Sequence, residues 1–232
     1  MVKDLIVFDM DGVLVEVTES YRATIQSTVK HFSGSEPTRP EIQDWKNRGG
    51  WNDDWRLSHA MIQERGANPT YEEVVDYFQK LFLGENRDGM ILREQWLATN
   101  GLFDRLSQNN TLAVFTGRMR WEAQLTLDRF LPGYFSPVVG SDDVTRTKPD
   151  PEGLIKIREM VPHGKAWYIG DTVDDARASA AANVPFIGIA APANPRYEEL
   201  VRLLKEAGAI AILDDINALE TVIGETALAQ NQ

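Results

Sequence analysis

The 232-residue chain contains no cysteine. That excludes disulfides, thiolate nucleophiles and cysteine-ligated zinc or iron–sulfur centres together. It is also short of positive charge: 24 Lys and Arg stand against 35 Asp and Glu, a net charge of −11. A balance of that sign argues against a broad phosphate-backbone footprint and so against a generic nucleic-acid binder. Long apolar runs are missing. The uncharged stretch from Ala178 to Ala193 is rich in alanine, is interrupted by Pro185, and is shorter than the roughly 20 apolar residues of a membrane span. The start, MVKDLIVFDMDG, has only Leu5–Phe8 as an apolar run, with acids on both sides; a signal peptide has a basic start and about 7–15 apolar residues. A soluble, cytoplasmic protein with no nucleic-acid or membrane partner is expected. Histidines are few, and His31, His59 and His163 belong to no motif, so they read as packing or surface residues. Gly164-Lys165-Ala166 lacks the upstream glycine and following Ser or Thr of a nucleotide P-loop, and no GxGxxG follows the first apolar run, which leaves a bound nucleotide unsupported.

What the chain does have is 43% hydrophobic residues, enough for a real core at this length. They fall in short, continuous runs: Leu5–Phe8, Leu112–Phe115, Val138–Val139, Ala166–Ile169, Phe186–Ala190 and Ala209–Leu213. Continuous rather than alternating apolarity marks strands buried on both faces, as in a parallel sheet covered by helices. Helix-like stretches over Trp121–Phe130, Pro151–Met160, Asp174–Ala182 and Pro195–Glu206 separate the later runs, which predicts an α/β, doubly wound (Rossmann-like) parallel sheet. From about Val15 to Arg93 the rhythm changes. Tyr21, Ile25, Val29 and Phe32 repeat at helical spacing, as do Val74, Phe78, Leu81 and Phe82. The pattern predicts a core of residues 1–14 and 94–232 with an α-helical insertion over residues 15–93. Val13–Thr18 and Gly84–Gly89 are the expected hinges, and the polar tail Gly224–Gln232 is expected to fray.

Four strand ends carry polar groups. The first run ends in Asp9-Met10-Asp11-Gly12, which puts Asp9 and Asp11 on one side of a strand about 6–7 Å apart, at the carboxyl edge where open parallel sheets bind ligands. Taken alone, it is equally an acidic turn. Leu112–Phe115 runs into Thr116-Gly117-Arg118, a hydroxyl with exposed amides that suits a phosphate, to which Arg118 adds a bidentate grip; an ordinary capping Thr is the alternative. Lys148 is followed by Pro149 and Pro151, which restrain the backbone that aims its ammonium. Gly170-Asp171-Thr172-Val173-Asp174-Asp175 repeats the acidic strand end, and hard-oxygen clusters of this kind suit Mg2+. Asp174 is equally a favourable charge at a helix N-terminus. Each signal is weak alone; four strands delivering them in order to one edge is a strong combination.

Asp9-x-Asp11-Gly12, Thr116, Lys148 and Gly170-Asp171 with Asp175 four residues on together resemble the four motifs of the haloacid dehalogenase superfamily of phosphohydrolases. The resemblance covers essentially the whole chain, including a helical cap after the first strand, as in its phosphoglycolate phosphatase-like branch. It implies a Mg2+-dependent phosphatase acting on a small phosphorylated metabolite, as a monomer or homodimer. Asp9 would be the nucleophile that forms an aspartyl-phosphate and Asp11 the acid and base; Thr116 and Lys148 would hold the phosphoryl group. Mg2+ would be held by Asp9, Asp171 and the backbone carbonyl of Asp11, with Asp175 ligating or orienting its waters. Close unit charges of like sign repel by roughly 4 kcal/mol at 4 Å and an effective dielectric of 20, so four carboxylates facing a phosphate need these cations. Departures are Glu16, where many relatives carry Asp, and Arg118, whose place after Gly117 suggests a substrate contact. In the insertion, Lys46, Arg48, Trp51, Asn52 and Trp55 surround Gly49-Gly50 where a substrate loop is expected, although Trp51 and Trp55, four apart, also suit simple packing. Gly117, Arg118, Lys46, Trp51 and Asn52 are therefore the candidate substrate contacts. A sugar phosphomutase would use the same Asp9 and Asp11; a phosphonate hydrolase would need Lys46 as a Schiff-base amine; a carbon–halogen hydrolase is disfavoured by the presence of Asp11. A receiver-like phosphate sensor is the non-enzymatic alternative, but receivers run to about 120 residues and lack the insertion.

Overall fold

A computed structural model describes residues 2–229, with side chains through residue 224. Six strands form one parallel sheet: β1 (Asp4–Phe8), β4 (Asn110–Phe115), β5 (Val138–Val139), β6 (Ala166–Gly170), β7 (Phe186–Ile189) and β8 (Ala211–Leu213), in the order β5-β4-β1-β6-β7-β8. All neighbouring pairs are parallel, with Leu5 opposite Thr111 on one side and Ala166 on the other. The chain is thus an α/β doubly wound protein, and the strands lie on the expected apolar runs to within a few residues. β1 sits between β4 and β6, the point where the strand order reverses and a crevice opens at the carboxyl edge.

Alternate residues of each strand feed two cores. Ile6, Phe8, Leu112, Val114 and Ile169 join one apolar cluster, and Leu5, Val7, Ala113, Phe115 and Tyr168 join the other. α5 (Leu102–Asn109) and α6 (Arg120–Phe130) contribute Leu102, Phe103, Leu106, Ala123 and Leu127 to the first. α7 (Glu152–Met160), α8 (Val173–Ala181) and α9 (Tyr197–Glu206) contribute Leu154, Ile157, Ala176, Ala178, Leu200 and Leu204 to the second. The chain stays helical in α10 (Leu219–Ala229), where a fraying tail was expected from Gly224; residues 230–232, the end of that expectation, lie outside the described part.

Between β1 and β4 lie α1 (Ala23–Ser33), α2 (Arg39–Arg48), α3 (Asp54–Glu64) and α4 (Tyr71–Leu83), preceded by a single π-turn over Thr18–Arg22. The helical spacing works as intended: Tyr21, Ile25, Val29, Val74, Phe78 and Phe82 are all buried, each such side chain contributing about 1.5–3 kcal/mol. Helix starts are set by side chains. Thr38 with Glu41 and Thr70 with Glu73 form capping boxes on α2 and α4, and Asp53 caps α3 by accepting from the amides of Trp55 and Arg56. The two ends of this segment meet in a short antiparallel ribbon, β2 (Val15–Glu16) with β3 (Gln95–Trp96). The return crossing therefore lies downstream of Gly84–Gly89, which forms a tight turn closed by the Gly89 amide on the Leu83 carbonyl.

Candidate active site

The carboxyl ends of β1, β4 and β6 deliver Asp9, Thr116 and Asp171 to one crevice. Its buried centre is Lys148. The ammonium donates to Asp9 Oδ1 at 2.7 Å, to Asp175 Oδ1 at 2.6 Å and to the Tyr168 hydroxyl at 2.9 Å. Burial alone would drive off its proton, but the carboxylates of Asp175 and Asp9 outweigh it and hold the ammonium well above its ordinary range. Asp175 is saturated with donors: Lys148 and the Tyr168 hydroxyl reach Oδ1, while the Thr172 amide and hydroxyl reach Oδ2 at 3.0 and 2.6 Å. Burial would raise its pKa, yet Lys148 and these hydrogen bonds bring it below the usual value. Thr172 and Asp175 thereby also close the capping box of α8.

Asp9, Asp171 and Asp175 each offer a carboxylate oxygen within 4.8 Å of the others. Burial, then the Lys148 charge against those of Asp175 and Asp11, leaves Asp9 pushed up to about 7. Asp171 is raised too, by burial and by Asp9 and Asp175. This is a donor set of hard oxygens with more negative charge than Lys148 offsets, the chemistry of a divalent-cation seat. Asp11 is absent from it by its side chain, which turns the other way. Gly12 packs against the acids at φ +75°, where a Cβ would come within 2.2 Å of Asp171 Oδ2, so only glycine fits this turn.

Arg118 is where the structure departs most from expectation. Its side chain is 1% exposed, and each of its three nitrogens is engaged within the protein. Nε and Nη2 donate to Asp11 Oδ1 at 3.0 and 2.5 Å, Nη2 also to Glu94 Oε1 at 2.6 Å, and Nη1 to Thr126 Oγ1 at 3.0 Å. The guanidinium lies 4.6 Å from the centre of the Tyr21 ring. Rather than gripping substrate, Arg118 holds Asp11, because Glu94 and Thr126 fix it from behind. Tyr21 and Gln79 from the helical segment donate to Glu122 of α6 at 3.2 and 2.6 Å.

The helical segment roofs the crevice. A hollow of about 20 Å3 is lined by Asp9, Asp11, Gly117, Asp171 and Thr172 below and by Val17, Arg22, Lys46, Asn52 and Asp54 above. Asn52 lies against Gly117, where any Cβ would come within 2.3 Å of its Nδ2. Lys46 lines the hollow but is paired with Asp54, which leaves it a poor Schiff-base amine. Trp51 does not line it: the indole stacks edge-to-face on Trp45 at 4.6 Å, because burying two rings together outweighs exposing one to the crevice. Thr116 is buried with its hydroxyl accepting from the Arg118 amide at 3.2 Å. Asp174 accepts the Gly50 amide at 2.8 and 2.9 Å, so it ties α8 to the roof and is not among the clustered metal-site acids.

Several residues here carry no site role in the sequence reading: Arg22, Asp53, Asp54, Glu94, Glu122 and Tyr168, together with Tyr21, which reads there only as part of a buried helical stripe. The polar tip of Tyr168 in an otherwise apolar strand was the one visible signal; Glu94 and Glu122 gave none, since nothing local distinguishes a buried acid from a solvated one. His31 stacks on Tyr77, and His59 and His163 bond backbone carbonyls, all apart from the site.

Residues 6–189 match the family described as haloacid dehalogenase-like hydrolase. The chain is 34% identical over 197 residues to a protein named imidazoleglycerol-phosphate dehydratase from Phytophthora nicotianae, covering 81% of this chain and 43% of that one. It is 26% identical over 184 residues to phosphoglycolate phosphatase 1 of Pseudomonas aeruginosa, covering 78% and 66%. The chain thus spans less than half of the first relative and just under two thirds of the second. Among solved structures, a phosphonoacetaldehyde hydrolase-like protein from Oleispira antarctica superposes with a TM-score of 0.75 at 17% identity, over 97% of this chain and 92% of that one. A hydrolase from Deinococcus radiodurans, crystallised with phosphate and sodium, gives 0.70 at 21% identity over 97% of each.

Proposed function

The chain belongs to the haloacid dehalogenase-like hydrolases, and from that premise we propose that it is a phosphatase acting on a small phosphorylated metabolite through an aspartyl-phosphate on Asp9. The observation that carries this reading is the position of Asp9. It ends the central strand, with Lys148 at 2.7 Å on one oxygen and the Asp171 and Asp175 carboxylates beside it, under a closed roof. Asp9 attacks phosphorus in line, and the ester oxygen leaves with a proton from Asp11; water then attacks the acyl phosphate, giving its proton back to Asp11 and releasing inorganic phosphate. Lys148 neutralises a phosphoryl oxygen, and Thr116 and the Gly117 amide bind the others. Asp9 and Asp171, with the Asp11 backbone carbonyl, would hold Mg2+, and Asp175 orients Lys148 and the cation's waters. When bound, the cation would supply charge neutralisation between Asp9 and the phosphoryl group.

Residues 15–93 act as the cap that selects substrate, with Lys46 and Asn52 facing the phosphoryl group together with Arg22. Closure of the cap excludes water and assembles the site. The test is inorganic phosphate release from a panel of phosphate esters with and without Mg2+. The panel includes phosphoglycolate and imidazoleglycerol phosphate, after the names of the relatives. Turnover is expected with Mg2+ and lost on chelation, and Asp9→Asn is expected to abolish it while the fold, read by circular dichroism, is kept. Full activity in that variant removes the nucleophile assignment.

A further inference from the structure

A second cavity, of about 50 Å3, adjoins the hollow over Asp9 and shares Asp11, Asn52, Asp54 and Gly117 with it. On the reading above, Asp11 protonates the leaving oxygen, so this cavity on the Asp11 side receives the alcohol part of the ester. The charged residues of its wall are mostly acids. Asp11, Asp53, Asp54 and Glu122 line it against one cation, Arg118. Arg118 is engaged by Asp11 and by Glu94, and Asp54 is engaged by Lys46. That leaves Asp53 and Glu122, both held only by neutral donors: backbone amides for Asp53, and Gln79 and the Tyr21 hydroxyl for Glu122. Tyr21 and Trp55 supply aromatic surface in the same cavity. Arg22, which has no ion-pair partner among the described residues, lines the hollow over Asp9 and the cleft beyond Asp171 instead. The unpaired cation Arg22 therefore lies on the phosphoryl side, and the acids without an ion-pair partner, Asp53 and Glu122, line the cavity on the alcohol side.

We propose that the preferred substrate is a phosphate monoester whose alcohol carries a protonated nitrogen, an amino-alcohol phosphate, with the cation seated among Asp53, Glu122, Tyr21 and Trp55. This deepens the phosphatase reading and rests on it. An ammonium there meets two carboxylates without an ion-pair partner and the indole of Trp55, the face of the Tyr21 ring being taken by Arg118. A carboxylate on the alcohol meets the same two charges with the opposite sign. Burial pushes the carboxyl groups of Asp53 and Glu122 above their ordinary range, outweighing their hydrogen bonds and the charges of Arg56 and Arg118 respectively, and a bound ammonium acts against that rise. The named substrate of the phosphoglycolate phosphatase relatives carries the disfavoured charge.

O-phosphoethanolamine and 2-phosphoglycolate test this directly, being two-carbon esters of similar size and opposite charge; glycerol 2-phosphate is the neutral reference. Each is measured on the full chain with Mg2+, as a substrate and as a competitive inhibitor of p-nitrophenyl phosphate hydrolysis. The aminated ester is expected to exceed the carboxylated one by at least about tenfold in kcat/KM, or in inhibitory affinity, with the ratio shrinking as salt is added. Asp53→Asn, which keeps the helix cap, and Glu122→Gln are each expected to reduce that ratio several-fold, chiefly through KM or KI. A ratio of one or below, with p-nitrophenyl phosphate hydrolysed, overturns this inference and leaves the phosphatase reading standing. A ratio that both variants leave unchanged also overturns it. Absence of phosphate release from every one of these esters, p-nitrophenyl phosphate included, overturns both.

Discussion

At the scale of single residues, the site depends on groups that never touch a substrate. Arg118 donates to Asp11, Glu94 and Thr126 at once, so the acid and base of the proposed reaction is aimed by a guanidinium that is itself pinned. Truncating such a group strands the buried Glu94 charge and costs about 3–5 kcal/mol of stability, so the informative change is Arg118→Lys, which keeps the charge but not the two-pronged grip on Asp11. We expect it to fold, to lower kcat by about 10–100-fold, as small misplacements of a reacting group do, and to leave KM nearly unchanged while moving the pH profile of kcat. A raised KM with normal kcat would mark Arg118 as a substrate contact after all. The sequence announced Asp9, Asp11, Thr116 and Asp171 because they follow apolar runs at strand ends, whereas Lys148, in the loop before α7, and Asp175, within α8, were marked by their order beside them. It could not announce the use of Arg118, since that depends on which way the guanidinium turns in the fold, toward Asp11 and Glu94, distant in the chain, and toward Thr126 in the following helix. Trp51 misled for the same reason: its stacking partner Trp45 is visible in sequence, but not which face each ring turns.

Secondary-structure elements were legible in proportion to their burial. Strands enclosed on both faces leave uninterrupted apolar runs, whereas β2 and β3 are two residues each and pair with one another far apart in sequence, so no local pattern marks them. Helices α1 and α4 bury one stripe and show it; α2 is polar along most of its length and is held by its ends. Its start rests on Thr38, whose hydroxyl accepts from the Glu41 amide, with Glu41 reaching back to the Thr38 amide at 2.6 Å. Thr38→Ala is expected to lower stability by about 1 kcal/mol in denaturant unfolding. The backbone and hydroxyl hydrogen bonds of Thr38, and secondarily Arg65, hold the Glu41 carboxyl below its ordinary range. A depressed acid contributes stability above its unfolded pKa and loses it as pH falls through the folded one. The stability difference between the native chain and Glu41→Gln is therefore expected to be present at neutral pH and to vanish below the ordinary glutamate range; a difference independent of pH would refute the capping assignment.

For the molecule as a whole, the roof is fastened to the core by polar clasps that include Gly50 to Asp174, Asp44 to Arg196 in a paired contact at 2.6 and 2.9 Å, Tyr21 with Gln79 to Glu122, and Arg129 to the Ile91 carbonyl. The Asp44–Arg196 pair is partly exposed and is worth no more than about 1 kcal/mol. The Asp174 carboxylate is buried and adjoins the acids of the proposed cation seat, which makes its role separable by experiment. Asp174→Ala is expected to speed amide exchange at Gly50 and to lower kcat/KM, while the Mg2+ concentration for half-activation stays the same. A shifted Mg2+ requirement would instead make Asp174 part of the cation seat.

The ribbon of β2 and β3 has a consequence for how such a protein diversifies. Departure and re-entry of the whole helical excursion occur at one spot, with Val15 opposite Trp96, so the excursion is a cassette hung from a single bracket. Insertions, losses or recombination within it leave the hydrogen-bonded ladder of the sheet untouched, and selection can remodel what is recognised while the phosphorus chemistry stays as it was inherited.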